Sequence, residues 1–514
     1  MAEDENAEGG SENLTKRTAS GLQWTYLNAA VSGVLQILMA AILARLLAPS
    51  AFGLLALANL TLRFVQYFSR VGIVPAVIQK QTLSRDDLRA AFAISMATGL
   101  AFTAIAWFLA PLAATFFTEP DLTPILRTMS LHLLIAGIGA PANGLLRRSF
   151  RFKEIAVIGV ASYVIGYGVV GVPLAFAGAG AYSLVAATLT QSALTVIASI
   201  ALTRPPMGLT RSRQSYNAIF GFGARVSIIS FIEFLGKEVD TLAIGRFTGA
   251  DLLGIYNRAH LLVQLPMSHL KHGFSGVLFP ALSSIQTQPT RLRRSYLSAV
   301  SIMAGIAFPV CAGIAIASRE IVLVVLGPDW ILAASVLPWM SLAAATSLVA
   351  HFGGITSEAI GALNSKLLLV ISKLTLLALL VFLVRQGPLW HFAAVFAVAN
   401  VYSLLAYSVL ISRLLRLRIS AILKSLVPGL STAALTAITI ATIRIFLARA
   451  GTSASVILAA AIVTGSITLL ASSRLGPLRP VARDIRRRIE ASAMINAETK
   501  ASKMMSNFSH FLFG

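Results

Sequence analysis

Apolar runs of about 20 residues recur between residues 22 and 473, and this pattern limits the possible folds more than any other feature. A helix of about 20 apolar residues matches the thickness of a lipid bilayer. Only 12% of the 514 residues are charged, whereas a soluble domain has about 25%. The sequence lacks the ten-residue alternation typical of a membrane β-barrel. The pattern therefore predicts an all-α polytopic membrane protein.

Charged residues, prolines and glycines separate the runs and divide the chain into about fourteen expected spans. No loop between them exceeds about 20 residues, which is too short for a nucleotide-binding domain or a large catalytic domain. The sequence also has no GxxxxGKS/T phosphate loop, no HExxH and no GxSxG. The expected spans are 22–44, 52–78, 91–117, 124–146, 155–177, 181–203, 220–244, 252–282, 297–317, 331–353, 366–385, 390–412, 422–443 and 453–473.

The basic residues of the loops and tails follow an alternating pattern. Every second loop is rich in Lys and Arg, so that 26 of these residues fall on one side of the membrane and 6 on the other. Because basic loops stay in the cytoplasm, both termini are expected there. This topology also accounts for the net charge of +22 without a nucleic-acid partner, since no basic patch is interleaved with aromatic residues.

Two of the expected spans, 220–244 and 252–282, carry more charge than a lipid-facing helix tolerates. A charge at the bilayer centre costs about 2.5 kcal/mol or more, so these residues should face protein or water. A helical projection places Glu233, Lys237 and Asp240 on one face and Glu238 on nearly the opposite face. The favoured interpretation is a solvated passage, and the alternative is a set of interhelical ion pairs that fix the packing. The other polar residues are Arg225 in the first span and, on two faces of the second, Arg258 with His269 and His272, and Asn257 with Gln264 and Lys271.

A matching polar stripe lies on the second expected span, 52–78. Its members are Arg63, Gln66, Tyr67 and Arg70, which follow one another at i, i+3, i+4 and i+7 on a single helix face. Arg63 lies too deep in the span to reach the membrane surface easily. We therefore expect this stripe to line a cavity.

The chain aligns with itself at an offset of 201 residues, which places Arg45 opposite Arg246 and Gly53 opposite Gly254. Both pairs lie in the loop that follows the first span of each half. An even number of spans separates the two loops, which predicts two parallel six-helix repeats and two further C-terminal helices, with the substrate site between the repeats. The expected domains are a cytoplasmic tail (1–20), two lobes (21–205 and 206–415), the two added helices (416–475) and a basic cytoplasmic tail (476–514).

Several of these segments resemble motifs of a known family. Segments 43–53 (LARLLAPSAFG) and 70–75 (RVGIVP) are similar to the amino-terminal signature of bacterial polysaccharide-biosynthesis exporters of the Wzx type. Segments 239–246 (VDTLAIGR), 253–259 (LGIYNRA) and 279–282 (FPAL) resemble motifs of that family's second half. The resemblance extends over about residues 15–415 and implies the multidrug/oligosaccharidyl-lipid/polysaccharide exporter superfamily.

The resemblance implies a flippase of the bacterial inner membrane that moves an undecaprenyl-diphosphate-linked oligosaccharide to the periplasmic leaflet, with no bond broken and no cofactor. A polysaccharide polymerase and export machinery are the further partners that this function suggests. A lipid diphosphate is anionic and needs cations inside the membrane, whereas its sugars need neutral hydrogen-bonding groups. The expected cations are Arg63, Arg70, Arg225, Lys237, Arg258 and Lys271, and the expected neutral groups are Gln66, Tyr67, Asn257 and Gln264.

Two other functions stay open for a chain of this kind. A small-molecule or drug exporter of the same superfamily should offer acidic residues to cationic drugs, and a membrane glycosyltransferase or polymerase should carry catalytic acids on a large outer loop. The acidic residues of the short outer loops, among them Glu119 and Glu320, are instead expected to be solvated. If an ion is coupled to transport, Glu233 and Asp240 are the candidates, unless they pair with Lys237.

The alternation of basic loops generates a topology test. We expect reporter fusions at Arg213, Arg294 and Arg418 to read cytoplasmic and fusions at Gly249 and Arg385 to read periplasmic, because only the first three lie in basic loops. Paired alkaline phosphatase and green fluorescent protein fusions measure the two orientations. An inversion at any adjacent pair of sites would contradict the predicted topology.

Overall fold

The computed structural model describes residues 24–25, 27–69, 73–80, 82–474 and 478. This part of the chain is helical and contains no β-strand, as the apolar runs predicted. Helices satisfy every backbone hydrogen bond within one segment, which a chain in a bilayer requires. Eleven of the described helices are long and apolar enough to cross a membrane. The chain is therefore a multi-pass membrane protein.

The helices follow the order of the expected spans. A π-helical segment, Val164–Gly171, joins α6 to α7, and a 3-10 turn, Pro328–Trp330, precedes α12. The bounds are α1 (Leu27–Ala44), α2 (Pro49–Ser69), α3 (Ile73–Gln79), α4 (Arg85–Phe117), α5 (Leu122–Arg148), α6 (Phe152–Tyr163), α7 (Val172–Phe176), α8 (Ala181–Thr203), α9 (Arg213–Ser284), α10 (Pro289–Ile316), α11 (Ser318–Val325), α12 (Ala333–Ala359), α13 (Leu363–Val384), α14 (Leu389–Leu414), α15 (Ile419–Arg449) and α16 (Ala454–Arg474).

Three expected spans fall on helices that are not among the eleven apolar ones. The span 52–78 corresponds to α2 and α3, and the spans 220–244 and 252–282 correspond to the two parts of α9. These are the helices whose polar residues were singled out from the sequence. The exact number of fourteen spans, the six-plus-six repeats and the lobes 21–205 and 206–415 stay predictions.

The loop expected between 244 and 252 is reduced to a single residue. Only Gly249 leaves the helical conformation inside α9, with φ 82° and ψ 179°, and a positive φ of this kind favours glycine. The backbone N–H of Ala250 donates to Glu119 Oε1 at 2.6 Å. A carboxylate at a helix start satisfies a free N–H and complements the helix dipole. Glu119 is therefore a cap for the second part of α9, and the expectation that it is merely solvated was wrong.

The described residues form two compact units, of which the first contains residues up to His269 together with Val325–Val336 and Ala378–Ala393. The second contains Leu270–Val324, Leu337–Leu377 and the residues after Ala394. In the second unit an ion pair joins Glu320 Oε1 to Arg444 Nε at 2.8 Å, and the two side chains are 6% and 36% exposed. Only 5% of Glu320 is exposed to solvent, so its expected solvation was also wrong.

Within the first unit, α2 and the second part of α9 touch through their backbones. A Cβ atom added to Gly53 would overlap the carbonyl of Ala250, and one added to Gly254 would overlap the carbonyl of Pro49. Pro49 and Ala250 are themselves 201 residues apart, the same offset that aligned Gly53 with Gly254. Gly53 thus contacts Ala250, and its equivalent Gly254 contacts Pro49, which is the residue equivalent to Ala250. A local two-fold axis would produce this reciprocity.

This contact generates a prediction about stability. We expect Gly53→Ala and Gly254→Ala each to lower the free energy of unfolding by about 3 kcal/mol or more, because the new methyl group meets a rigid backbone carbonyl rather than a mobile side chain. Gly159→Ala on α6 is the matched control, since no atom lies within 4 Å of its added Cβ. Thermal unfolding in detergent, with membrane protein level as a second measure, compares the three variants. Equal stability of all three would show that the close contact is absent.

Candidate functional site

A cavity of about 500 Å³ lies inside the first unit. It is bounded by α1, α2, the end of α6 with the π-helical segment, α8 and both parts of α9. Its volume lies in the range of small-molecule sites, about 300–1,000 Å³. Its polar lining consists of Gln36, Asn59, Arg63, Tyr163, Tyr167, Glu238, Asp240, Thr241, Asn257, Arg258 and His260.

Four of the residues selected from the sequence meet at this cavity, namely Arg63, Asp240, Asn257 and Arg258. Their roles in binding or ion coupling stay predictions. Gln66 and Gln264 are half-buried outside the cavity lining, and Lys271 belongs to the second unit. Arg70 and the side chains of Tyr67, Arg225, Glu233, Lys237, His269 and His272 lie outside the described residues.

Sequence reasoning missed several polar residues of the cavity. Asn59 lies one helical turn before Arg63 on α2, so extending the polar stripe backwards would have found it. Tyr163 and Tyr167 lie in an apolar run, where aromatic residues at this spacing usually pack against other helices. Only the tertiary structure turns these two side chains towards the cavity.

Arg63 and Glu238 form an ion pair across the cavity. Nη1 of Arg63 lies 2.5 Å from Oε1 of Glu238, and the two side chains are 54% and 17% exposed. The helical projection placed Glu238 on nearly the opposite face of α9 from Asp240, and the structure shows that both side chains nevertheless line the cavity. The positive charge of Arg63 is therefore balanced within the protein.

Asp240 is held by hydrogen bonds, and no cation among the described residues forms a salt bridge with it. Its Oδ2 accepts from the hydroxyl of Tyr256 at 3.2 Å, and its Oδ1 accepts from the backbone N–H of Thr241 at 2.7 Å. Tyr256 is buried and lies in the second part of α9. The carboxylate therefore connects the two parts of α9 on either side of Gly249.

The guanidinium of Arg258 lies over the ring of Phe52, and Trp330 packs against that ring. Its guanidinium carbon is 4.6 Å from the centre of the Phe52 ring. Phe52 packs edge-on against Trp330, with ring centroids 5.3 Å apart. Trp330 is buried, and its Nε1–H donates to the carbonyl of Ala44 at 2.7 Å. The end of α1, the start of α2 and the 3-10 turn thus hold the platform under Arg258.

The charge of Arg258 has no acidic partner among the described residues. Within the described part of the chain no carboxylate forms a salt bridge with it, and its Nε is buried without a hydrogen-bond partner. The cation–π contact with Phe52 contributes about 2 kcal/mol when the guanidinium is removed from water, but it leaves the Nε–H without an acceptor. A buried donor without a partner costs about 1–3 kcal/mol. The Nε–H of Arg258 is therefore a buried donor that the described residues leave unsatisfied.

Residues 42–335 match the model of a family described as "Polysaccharide biosynthesis protein". One similar protein is the lipopolysaccharide biosynthesis protein WzxC of Escherichia coli, 25% identical over 344 residues, which cover 66% of this chain and 69% of WzxC. Another is the succinoglycan biosynthesis transport protein ExoT of Rhizobium meliloti, 26% identical over 330 residues, which cover 64% of this chain and 66% of ExoT.

A solved structure has the same fold. The lipid II flippase MurJ, in an inward closed conformation, aligns with a TM-score of 0.66 and 13% sequence identity. The alignment covers 88% of this chain and 98% of MurJ. At this identity the likeness concerns the arrangement of the helices.

The exposed ion pair of the cavity can be tested by a double-mutant cycle. We expect Arg63→Gln, Glu238→Gln and the double variant to give a coupling free energy below about 1 kcal/mol, because solvent reaches the Arg63 side chain. Unfolding in detergent measures the three free energies. A coupling of about 3 kcal/mol or more would show that the pair fixes helix packing instead of lining a solvated cavity.

Proposed function

The chain belongs to the polysaccharide biosynthesis protein family, and from this premise we propose that it is a flippase for lipid-diphosphate-linked oligosaccharides. The substrate passes from the cytoplasmic to the periplasmic leaflet of the bacterial inner membrane with every covalent bond intact. Two lobes that open to the two sides in turn would supply the movement. An undecaprenyl carrier and cytoplasmic termini are part of this proposal.

The observation that carries the proposal is the unbalanced guanidinium of Arg258. A diphosphate supplies the charge and the acceptor oxygens that this group lacks. Arg63 is a second candidate for binding the diphosphate. Its side chain is exposed to solvent, so its ion pair with Glu238 is weak, and a diphosphate can displace the Glu238 carboxylate.

The neutral groups of the cavity suit the sugars of such a substrate. Gln36, Asn59 and Asn257 offer amide donors and acceptors beside the two arginines. The diphosphate would bind to Arg258, and the first sugars would contact these amide side chains. A volume of about 500 Å³ holds this part of the substrate and leaves the distal sugars outside.

The relatives support transport of a glycan. WzxC acts in lipopolysaccharide biosynthesis, and ExoT is a transport protein of succinoglycan biosynthesis. MurJ, which shares the fold, is a flippase for lipid II. We therefore propose that the chain has no enzymatic activity of its own and that a polysaccharide polymerase acts on its product.

Export of cationic small molecules is less well supported by the cavity. A cation needs a carboxylate that is free to accept it, whereas Glu238 is paired with Arg63 and Asp240 accepts from Tyr256 and Thr241. The described lining offers a free cation, Arg258, and no free carboxylate. This charge arrangement favours an anionic substrate.

The proposal is tested by changing the charge of Arg258. We expect Arg258→Gln to lower flipping of the host's undecaprenyl-diphosphate oligosaccharides about 10- to 100-fold, because a hydrogen bond to a charged group contributes about 1.5–3 kcal/mol. Arg258→Lys should retain more activity, since it keeps the charge and loses only the fork of donors. The measurement is periplasmic exposure of the lipid-linked glycan in membranes, normalised to protein level.

Arg385→Gln is the matched control. The Arg385 guanidinium also lies over a phenylalanine, 4.1 Å from the centre of the Phe382 ring, but it does not line the cavity. The Arg385→Gln variant should flip the glycan at the wild-type rate. Normal flipping by a well-expressed Arg258→Gln variant would overturn the anion site and with it the main support for the proposed substrate.

A further inference from the structure

The π-helical segment Val164–Gly171 packs closely against α8. A Cβ atom on Gly166 would overlap the carbonyl of Ala187, and one on Gly171 would press against the side chain of the same residue. A π-helical turn is rare, poorly stabilised and frequent at functional sites. Glycine at these two positions lets the π-helical segment lie directly against α8.

Two tyrosines at the start of this segment form a stacked pair on the cavity wall. The rings of Tyr163 and Tyr167 are 4.7 Å apart between centroids and inclined by 26°. Both side chains are half-buried and line the cavity that contains Arg258. A stacked pair that is partly open presents a rigid apolar surface with two polar ends.

The two hydroxyl groups differ in their hydrogen bonds. The hydroxyl of Tyr167 is 3.0 Å from Oγ1 of Thr188, which itself donates to the carbonyl of Leu184. The hydroxyl of Tyr163 has no hydrogen-bond partner among the described residues. Tyr167 is therefore fixed by α8 and supports Tyr163, whose hydroxyl is available to a ligand.

The chemistry of this pair matches a sugar ring. One face of a hexopyranose carries axial C–H groups that stack on an aromatic ring, and its hydroxyls both donate and accept hydrogen bonds, as a tyrosine hydroxyl does. A lipid tail would need no hydroxyl, and a diphosphate would need a cation rather than a tyrosine. The pair shares its cavity with Arg258, where the diphosphate is proposed to bind.

We infer that Tyr163 and Tyr167 form a subsite for a hexopyranose ring of the glycan, close to its diphosphate end. This inference rests on the proposed function, because the sugar is placed by the anion that Arg258 holds. Tyr163 makes the contact, and Tyr167 with Thr188 positions it. The subsite gives the protein a preference for a glycosylated lipid over the bare lipid diphosphate.

The test compares two probes on the purified full chain in lipid nanodiscs. One probe is undecaprenyl diphosphate, and the other is undecaprenyl diphosphate that carries a single glucose or galactose. The ratio of their dissociation constants measures the contribution of the sugar. We expect the wild-type chain to bind the hexosyl lipid about tenfold more tightly, because the sugar stacks on the Tyr163 ring and forms a hydrogen bond with its hydroxyl.

Variants of Tyr163 separate the ring from the hydroxyl. Tyr163→Phe should keep the part of the ratio that stacking contributes and lose the part that the hydroxyl contributes, whereas Tyr163→Leu, which keeps an apolar side chain without an aromatic face, should bring the ratio close to one. Tyr182→Leu on α8 is the matched control, because Tyr182 is 46% exposed and lies outside the cavity lining. Thermal unfolding of each variant shows that the fold is retained.

The outcomes distinguish the subsite from the function. An unchanged ratio in Tyr163→Leu, or a ratio near one in the wild-type chain, overturns the subsite and leaves the proposed function in place if Arg258→Gln weakens binding of both probes. The proposed function is overturned if the wild-type chain binds neither probe, or if Arg258→Gln leaves the dissociation constants of both probes unchanged. The subsite is then overturned as well.

Discussion

The backbone contact between α2 and the second part of α9 is the constraint on which the described cavity depends. Gly53 and Gly254 allow the two helices to approach until carbonyls and Cα atoms touch, which a side chain at either position would prevent. Phe52, next to Gly53, and Arg258, one turn after Gly254, are thereby brought within 4.6 Å of each other. The distance between the two helices therefore decides whether a guanidinium can lie on an aromatic ring at this place.

A second consequence of this geometry is that the two arginines of the cavity, Arg63 and Arg258, have different partners. Arg63 has a carboxylate partner that solvent can reach, whereas Arg258 has an aromatic platform and a buried Nε without a partner. Packing alone would favour pairing both cations, because an unpaired buried charge destabilises the fold. A site that is costly without its ligand is typical of functional positions, where local rules are broken for the sake of binding.

Much of the fold follows from the length of the apolar runs. The expected span 181–203 coincides with α8 (Ala181–Thr203), because a helix of this length satisfies its own backbone and fits the bilayer. The site was harder to predict. Arg63 and Arg258 were found because charge inside an apolar run is costly and therefore informative, whereas Tyr163 and Tyr167 have no such signature. Glu238 was not selected as a cavity residue because it projects to nearly the opposite face from Asp240, whereas the cavity receives both side chains.

The sequence by itself determined that the chain is helical, that it crosses the membrane many times, and that charged residues of α2 and α9 need a polar environment. These conclusions depend on properties of single residues and on local spacing, which are the same in any packing of the helices. The tertiary structure decided which charges meet. Whether Arg63 pairs with Glu238 or with another acid, and whether Arg258 remains unpaired, depends on the distance between helices 175 positions or more apart in the chain. Local periodicity contains no information about such distances.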